Sequence, residues 1–383
     1  MLDETIGFDL RKYQRAIVFL FLSSFIVFQP ILKYFEYVLD FQRINFSFFI
    51  VFLFSMYLIS ISRDITNRYS FNLFLSFWIL IFVSGIQIIS MPWAIYYGLE
   101  GSIDYLKVIS KTLFCYWMFW FSGLHIKSML DSRNARVFFT ASWILTLALI
   151  FVSALNNDIF RLILEGEPIY LMLADCFAVL SIFMLIYNKK FDLLIILLSS
   201  LALFALWSRA SLYSFLIIII LYMFKEHRLK TLLLLLLGIY FLDSFLMFKE
   251  DRMFVIIFGG FDTSQSIREK FFHMGLNEIK MVWPFGNFMG DVNSNYGRVG
   301  TYIHSYLSFL RQFGLIPFLA LSVLVITCYF KIIRLWLFNG NRNINFLFYF
   351  TTFILVEILF ARSYLHSFLW MGLSGISMIN NKE

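Results

Sequence analysis

The sequence predicts an all-α polytopic membrane protein, and three observations carry that prediction. Across 383 residues, 61% are hydrophobic and only 14% charged, where soluble domains hold about 45–50% apolar and about 25% charged residues. Apolar runs long enough to cross a hydrocarbon core, about 20 residues each, recur along the whole chain. The alternating ten-residue segments of a membrane β-barrel are not seen. A chain of this size in water could not cover so much apolar surface. Soluble globular domains, disordered chains, collagen-like repeats and secreted disulfide scaffolds are therefore excluded.

Hydropathy places about 12 transmembrane helices near 16–32, 45–62, 71–90, 104–123, 136–155, 168–187, 191–207, 211–224, 231–248, 305–330, 345–362 and 364–379. The first run follows a polar, charged start without a small-residue cleavage site, so it is expected to remain as a signal anchor. The 104–123 span carries Lys107 and Lys111 in its first turns, and the 364–379 span is short and holds Gly372 and Gly375. Cys115, Cys176 and Cys328 all fall inside spans without metal or redox spacing and read as small packing residues. No repeat or linker divides the chain, so residues 1–383 are expected to form a single transmembrane domain with one large helical loop, about 249–304.

Basic residues orient the bundle. Of the 31 Lys and Arg residues, 17 cluster at the ends that share a side with both termini, from Arg11, Lys12 and Arg15 to Arg342 and Lys382. Of the 14 opposite, seven lie between Lys249 and Arg311, in or beside the long loop, and long loops count little in setting topology. Both termini are thus expected to be cytoplasmic. The net charge of +7 is mostly topological, which removes the nucleic-acid reading.

A charge near the bilayer is costly and asks for a reason. Arg209 lies in Trp207-Ser208-Arg209-Ala210-Ser211, between two apolar runs at the outer boundary. It is either a snorkelling arginine or a fixed cation for a phosphate, with the helix start at Ser211 adding amide donors. In the loop, Ser266-Ile267-Arg268-Glu269 reads as a capping box. Phe271, Phe272, Gly275, Leu276, Ile279, Val282 and Trp283 follow as one apolar stripe, before Pro284 and Gly286 end the helix. Arg268 falls in the middle of that stripe, either as an interfacial snorkeller or with an anionic partner. The loop closes at Tyr302, His304 and Ser305, and His304 and Arg311 are spaced for one helix face, roughly 10 Å apart. A histidine at a wet membrane boundary suits proton transfer, phosphate binding or a plain hydrogen bond. Arg362 and His366 make a similar pair at the outer end of the last hairpin. Asp175 and Glu357 read as mid-span groups, for proton relay or for helix-packing hydrogen bonds. No D-x-D, H-E-x-x-H, P-loop or G-x-S-x-G motif is present, so neither a metal nor a cofactor is expected.

The order of these pieces resembles the O-antigen ligase/polymerase superfamily of bacterial envelope glycosyltransferases. The matching residues are Ser208-Arg209-Ala210-Ser211, then Arg268 with a helix to Trp283, Pro284-Phe285-Gly286 and Gly290, then His304-Ser305-Tyr306-Leu307 and Gly314-Leu315-Ile316. The match spans about 195–325. It departs from the family in glycine spacing, in Ala210 for the commoner Gly and in Ser305 for the commoner Asn. The resemblance implies a GT-C-like fold with the loop in the periplasm. It implies an inverting, metal-independent transferase acting on undecaprenyl-pyrophosphate-linked glycan, both donor and acceptor, in the bacterial inner membrane. It implies catalytic roles for Arg209, Arg268 and His304. Substrate-binding roles are expected for Arg209, Arg268, Arg298, Tyr302, Arg311, Arg362 and His366. Membrane lipids and a chain-length regulator are the further partners. Polymerase is the leading expectation; a ligase acting on lipid A core and a flippase for lipid-linked sugars are the alternatives.

Overall fold

The computed structural model describes residues 10–39, 70–97, 102–156, 158–159, 169–226, 263–288, 305–338, 341–363 and 366–379. All regular elements among them are helical: α1 (Leu10–Leu22), a π-helical turn (Ser23–Phe28), α2 (Gln29–Leu39), α3 (Phe71–Tyr97), α4 (Ser102–Leu130), α5 (Arg133–Leu155) and α6 (Ile169–Tyr187), followed by a short 3-10 turn (Lys189–Phe191) and α7 (Asp192–Ala205). The chain continues as α8 (Arg209–Lys225), α9 (Thr263–Val282), α10 (Leu307–Phe313), α11 (Leu315–Phe338), α12 (Arg342–Phe360) and α13 (Phe368–Met378). Among the described residues, six stretches are long and apolar enough to cross a membrane: Gln14–Phe35, Phe71–Ser90, Arg133–Leu155, Ile169–Tyr187, Leu315–Phe338 and Arg342–Phe360. The protein is an α-helical membrane protein. The expected spans 45–62 and 231–248 lie outside the described residues.

The first stretch runs unbroken through α1, the π turn and α2. The wider turn ends just before Pro30, whose ring and missing N–H disturb an ordinary α-helical ladder, and Gln29 N–H bonds back to Ser24 O in the π register. Two expected spans change shape. The 305–330 span divides at Gly314, whose φ of 84° is open to glycine but strained for other residues, so the crossing helix is Leu315–Phe338. The 364–379 span yields only the 11 residues of α13, about 16 Å of helix, too short to cross alone. Instead α13 is enclosed. Every residue from Phe368 to Ser377 is buried.

Close approach of small residues seats α13 against α4. A Cβ on Gly123 would stand 1.9 Å from Ser374 Oγ and 2.4 Å from Met371 O. Ser374 Oγ in turn donates to Trp120 O at 2.7 Å. In lipid, where apolar contact alone does not favour helix association, such small-residue seams and interhelical hydrogen bonds hold helices together. Indole–serine pairs repeat the device: Trp120 Nε1 to Ser76 Oγ at 2.9 Å, Trp117 Nε1 to Ser84 Oγ at 2.9 Å and Trp143 Nε1 to Ser181 Oγ at 3.0 Å. The Phe-rich composition fills the space between. Phe119 meets Phe25 and Phe368 edge-on at ring distances of 4.7 and 4.9 Å, a geometry aromatic quadrupoles favour. The three cysteines are buried and unpaired with each other.

The two ends of the bundle differ. At one end, Asn343 joins Asp131 and Tyr187 at 2.8 and 2.7 Å, and Lys189 pairs with Glu226. Arg133, Arg136, Lys190 and Arg342 stand at the same helix termini. The opposite end gathers the α7–α8 turn, the start of α6 and the α12–α13 turn.

Candidate functional site

The site is built from the α7–α8 turn upward. Leu206 and Trp207 close α7 with N–H bonds to Ala202 O and Phe204 O. Trp207 then takes φ 55°, the one left-handed non-glycine residue among those described. A bulky residue in that region is strained, and the surrounding turn must hold it there. The reversal starts α8 at Arg209, half-buried. Ser208 Oγ and Ser211 Oγ lie 2.8 Å apart, and Ser211 Oγ donates to Asp175 Oδ1 at 2.6 Å.

Asp175 connects this turn to the last hairpin. Its Oδ1 accepts from Arg362 Nη2 at 2.5 Å, and Arg362 Nε donates to Glu357 Oε2 at 3.2 Å. The main chain assists, because Ala361 N–H and Arg362 N–H both bond to Glu357 O, turning the chain back under its own carboxylate. His366 Nε2 stands 3.8 Å from the same Glu357 oxygen. Glu357 is fully enclosed, while the side chains of Asp175, Arg362 and His366 keep 11%, 15% and 10% exposure. One face of the cluster therefore reaches outward and its carboxylate floor does not. Burial pushes the His366 imidazole down to about 4, with the Arg362 charge adding to the effect against the opposing pull of Asp175. His366 is thus neutral at pH 7. Arg362 is held charged: its two carboxylates outweigh the burial that disfavours the cation.

Asp175, Glu357 and His366 bring one donor atom each to within 4.8 Å of one another, a spacing compatible with a metal ion. Arg362 already reaches both carboxylates, so a guanidinium supplies the positive charge between them. A metal could take that place only if Arg362 moved out.

The loop helix α9 is fastened beside this end by a second set of contacts. Arg311, almost fully buried, donates from Nε to Glu278 Oε2 at 2.7 Å and approaches Asn287 O. Asn287 N–H bonds to Arg311 O and Leu315 N–H to Pro284 O, both at 2.8 Å. Gly286, at φ 77°, packs onto Gly314, and a Cβ on either would meet backbone atoms of the other's segment at 2.4 Å. These two glycines, 28 positions apart in the sequence, have to be glycines for the same reason. Tyr306, just before α10, and Phe309 on it then line a small interior space with Ile358, Ser363 and Trp370, linking the loop's return to the α12–α13 turn.

The structure thus brings Arg209, Arg362 and His366 to one end of the bundle and ties Arg311 to α9. Arg268 lies on α9, with its side chain outside the described set; Arg298, Tyr302 and His304 are outside the described residues. Helix α9 begins at Thr263, so the Ser266–Glu269 box lies within its first turns rather than at its cap. In the expected apolar stripe Gly275 and Ile279 are buried, but Phe272 and Trp283 are exposed. Glu357 is not mid-span but one turn from the end of α12, whereas Asp175 lies within one turn of the middle of α6. Their partnership with Arg362 had one signal in the sequence, the Glu357–Arg362 spacing beside a helix end, and none that included Asp175. No protein-family model, curated protein or solved structure matches this chain.

Proposed function

We propose that this protein is an O-antigen polymerase. It would be an inverting, metal-independent glycosyltransferase of the bacterial inner membrane, with cytoplasmic termini. It joins undecaprenyl-pyrophosphate-linked oligosaccharide repeats at the periplasmic face. The observation that carries the reading is the convergence on Asp175 of two arginine-bearing turns. Ser211, two residues after Arg209, and Arg362 both bond to Asp175 Oδ1, at the end of the bundle away from its basic helix termini.

The chemistry fits the arrangement. Breaking the sugar–pyrophosphate bond leaves negative charge on the phosphates, which fixed guanidinium groups stabilise without a metal. Arg209, at the first position of α8, adds its charge to the partial positive charge of a helix start. Asp175 and Glu357 would repel a phosphate if left bare, and Arg362 offsets that charge while fixing where α8 begins. Arg268 is assigned to the same pyrophosphate. His304 serves the leaving group or the acceptor hydroxyl, and Arg298, Tyr302 and His366 line the glycan path.

The test is the surface polysaccharide of a deletion strain complemented with Arg209→Lys. Polymerase function predicts single-repeat caps in the deletion strain and no elongation by the variant, with normal membrane insertion. Long lipid-linked chains above an empty core would instead identify a ligase, and loss of all exported repeats a flippase. Normal chain length with Arg209→Lys would remove Arg209 from the site.

A further inference from the structure

The turn that ends α9 carries three large apolar side chains in the open. Met281 is 83% exposed, Trp283 54% and Phe285 86%. In water this would be an unusually exposed cluster for so short a segment. Lys280 is exposed beside it.

What these residues meet follows from where the turn is fastened. Pro284 O accepts from Leu315 N–H at 2.8 Å, and Gly286 rests on Gly314. The turn therefore sits at the first residue of α11, one of the helices long and apolar enough to cross a membrane. Along α11, Ile316, Leu319, Val323, Ile326 and Phe330 recur at intervals of three and four residues and are 47–81% exposed. On a membrane-crossing helix such an uncovered apolar face meets lipid. Ile316 opens that face directly after the residue bonded to Pro284, so the exposed cluster prolongs a lipid-facing surface past the end of its helix. Its composition agrees: aromatic side chains belong at the headgroup level, where a lysine can reach anionic lipid.

We propose that the Met281–Phe285 turn is a membrane wedge, inserted in the lipid leaflet on the α9 side and holding the loop helix at the interface. The proposal does not rest on the glycosyltransferase reading. Under that reading, the wedge sets α9 at the depth of a lipid-borne pyrophosphate.

Site-directed spin labelling in lipid nanodiscs tests it. Met281→Cys and Phe285→Cys are labelled separately in the full chain; the native cysteines are buried. Phe330→Cys on the α11 face serves as the lipid reference and Lys270→Cys, exposed on α9, as the aqueous one. The expected result is relaxation by dissolved oxygen several-fold stronger than by a water-soluble nickel chelate at 281 and 285, as at 330, with the reverse at 270. Nickel access at 281 and 285 equal to that at 270 would overturn the wedge. So would protection from both reagents, which would mean that protein covers the turn. Independently, Trp283→Phe should remove a component of tryptophan fluorescence quenched by lipids brominated near the headgroup. Unchanged quenching would count against insertion.

Discussion

Two buried polar systems in this bundle make opposite use of polarity. The seam that α4 makes with α13 and α3 is neutral: Gly123 against Ser374, Ser374 against Trp120 O, and the α4 indoles donating to Ser76 and Ser84 on α3. The cluster at Asp175 is charged, with Arg362 strung between two carboxylates and His366 against one of them. The seam satisfies its hydrogen bonds and lets backbones touch, whereas the cluster leaves Glu357 Oε1 and His366 Nε2 without a hydrogen-bond partner among the described residues. A buried ion cluster carries a desolvation cost that an apolar replacement would avoid. The contrast teaches that close packing in this protein needs small and neutral polar groups only. The charged cluster is better explained by what it holds in place at the α7–α8 turn.

The largest effect should come from removing the central cation. Arg362→Met leaves Asp175 and Glu357 facing one another without it and is expected to cost about 3–5 kcal/mol, seen as a fall in thermal midpoint in detergent. Adding Asp175→Asn should restore part of that loss. Equal loss in both variants would mean that the cluster is not an electrostatic unit. The neutral seam should break by volume instead. Gly123→Ala forces its new methyl against Met371 O and is expected to cost about 1–3 kcal/mol, and Ser374→Ala, although it frees the side-chain contact, should not rescue it. Full rescue would show that the backbone is not in contact. Smallest is a single indole–serine bond: Trp117→Phe retains most of the packing and is expected to cost about 0.6 kcal/mol, the average for interhelical hydrogen bonds in membranes. A loss as large as that of Arg362→Met would erase the distinction between the two systems.

Much of the helix layout was legible in the sequence. The apolar runs at 71–90, 136–155, 168–187 and 345–362 correspond to α3, α5, α6 and α12, because hydropathy over about 20 residues is a local property. The misjudged stretches failed for reasons that are not local. Residues 305–330 read as one apolar run, yet Gly314 adopts a left-handed conformation to receive Gly286. Residues 364–379 are apolar enough for lipid but form a helix that the rest of the bundle encloses. At the site, Arg209, Arg362 and His366 stood out as ionisable groups at helix ends expected to face outward. The mid-span reading failed for Glu357, because the expected 345–362 span begins three residues after the start of α12 and runs two past its end.

The sequence by itself determined that this chain is helical, that it lives in a membrane, and which end of its helices is basic, since these depend on composition and order along the chain. Only the tertiary structure decided that Asp175 answers Arg362 across 187 positions and that Arg311 answers Glu278 across 33. It alone seats Gly286 on Gly314. Each of these pairings depends on how far a helix is rotated and how closely its neighbour approaches, and in a bundle this rich in phenylalanine many rotations bury similar apolar area. The costly charges and the sterically forced glycines are specific enough to favour one.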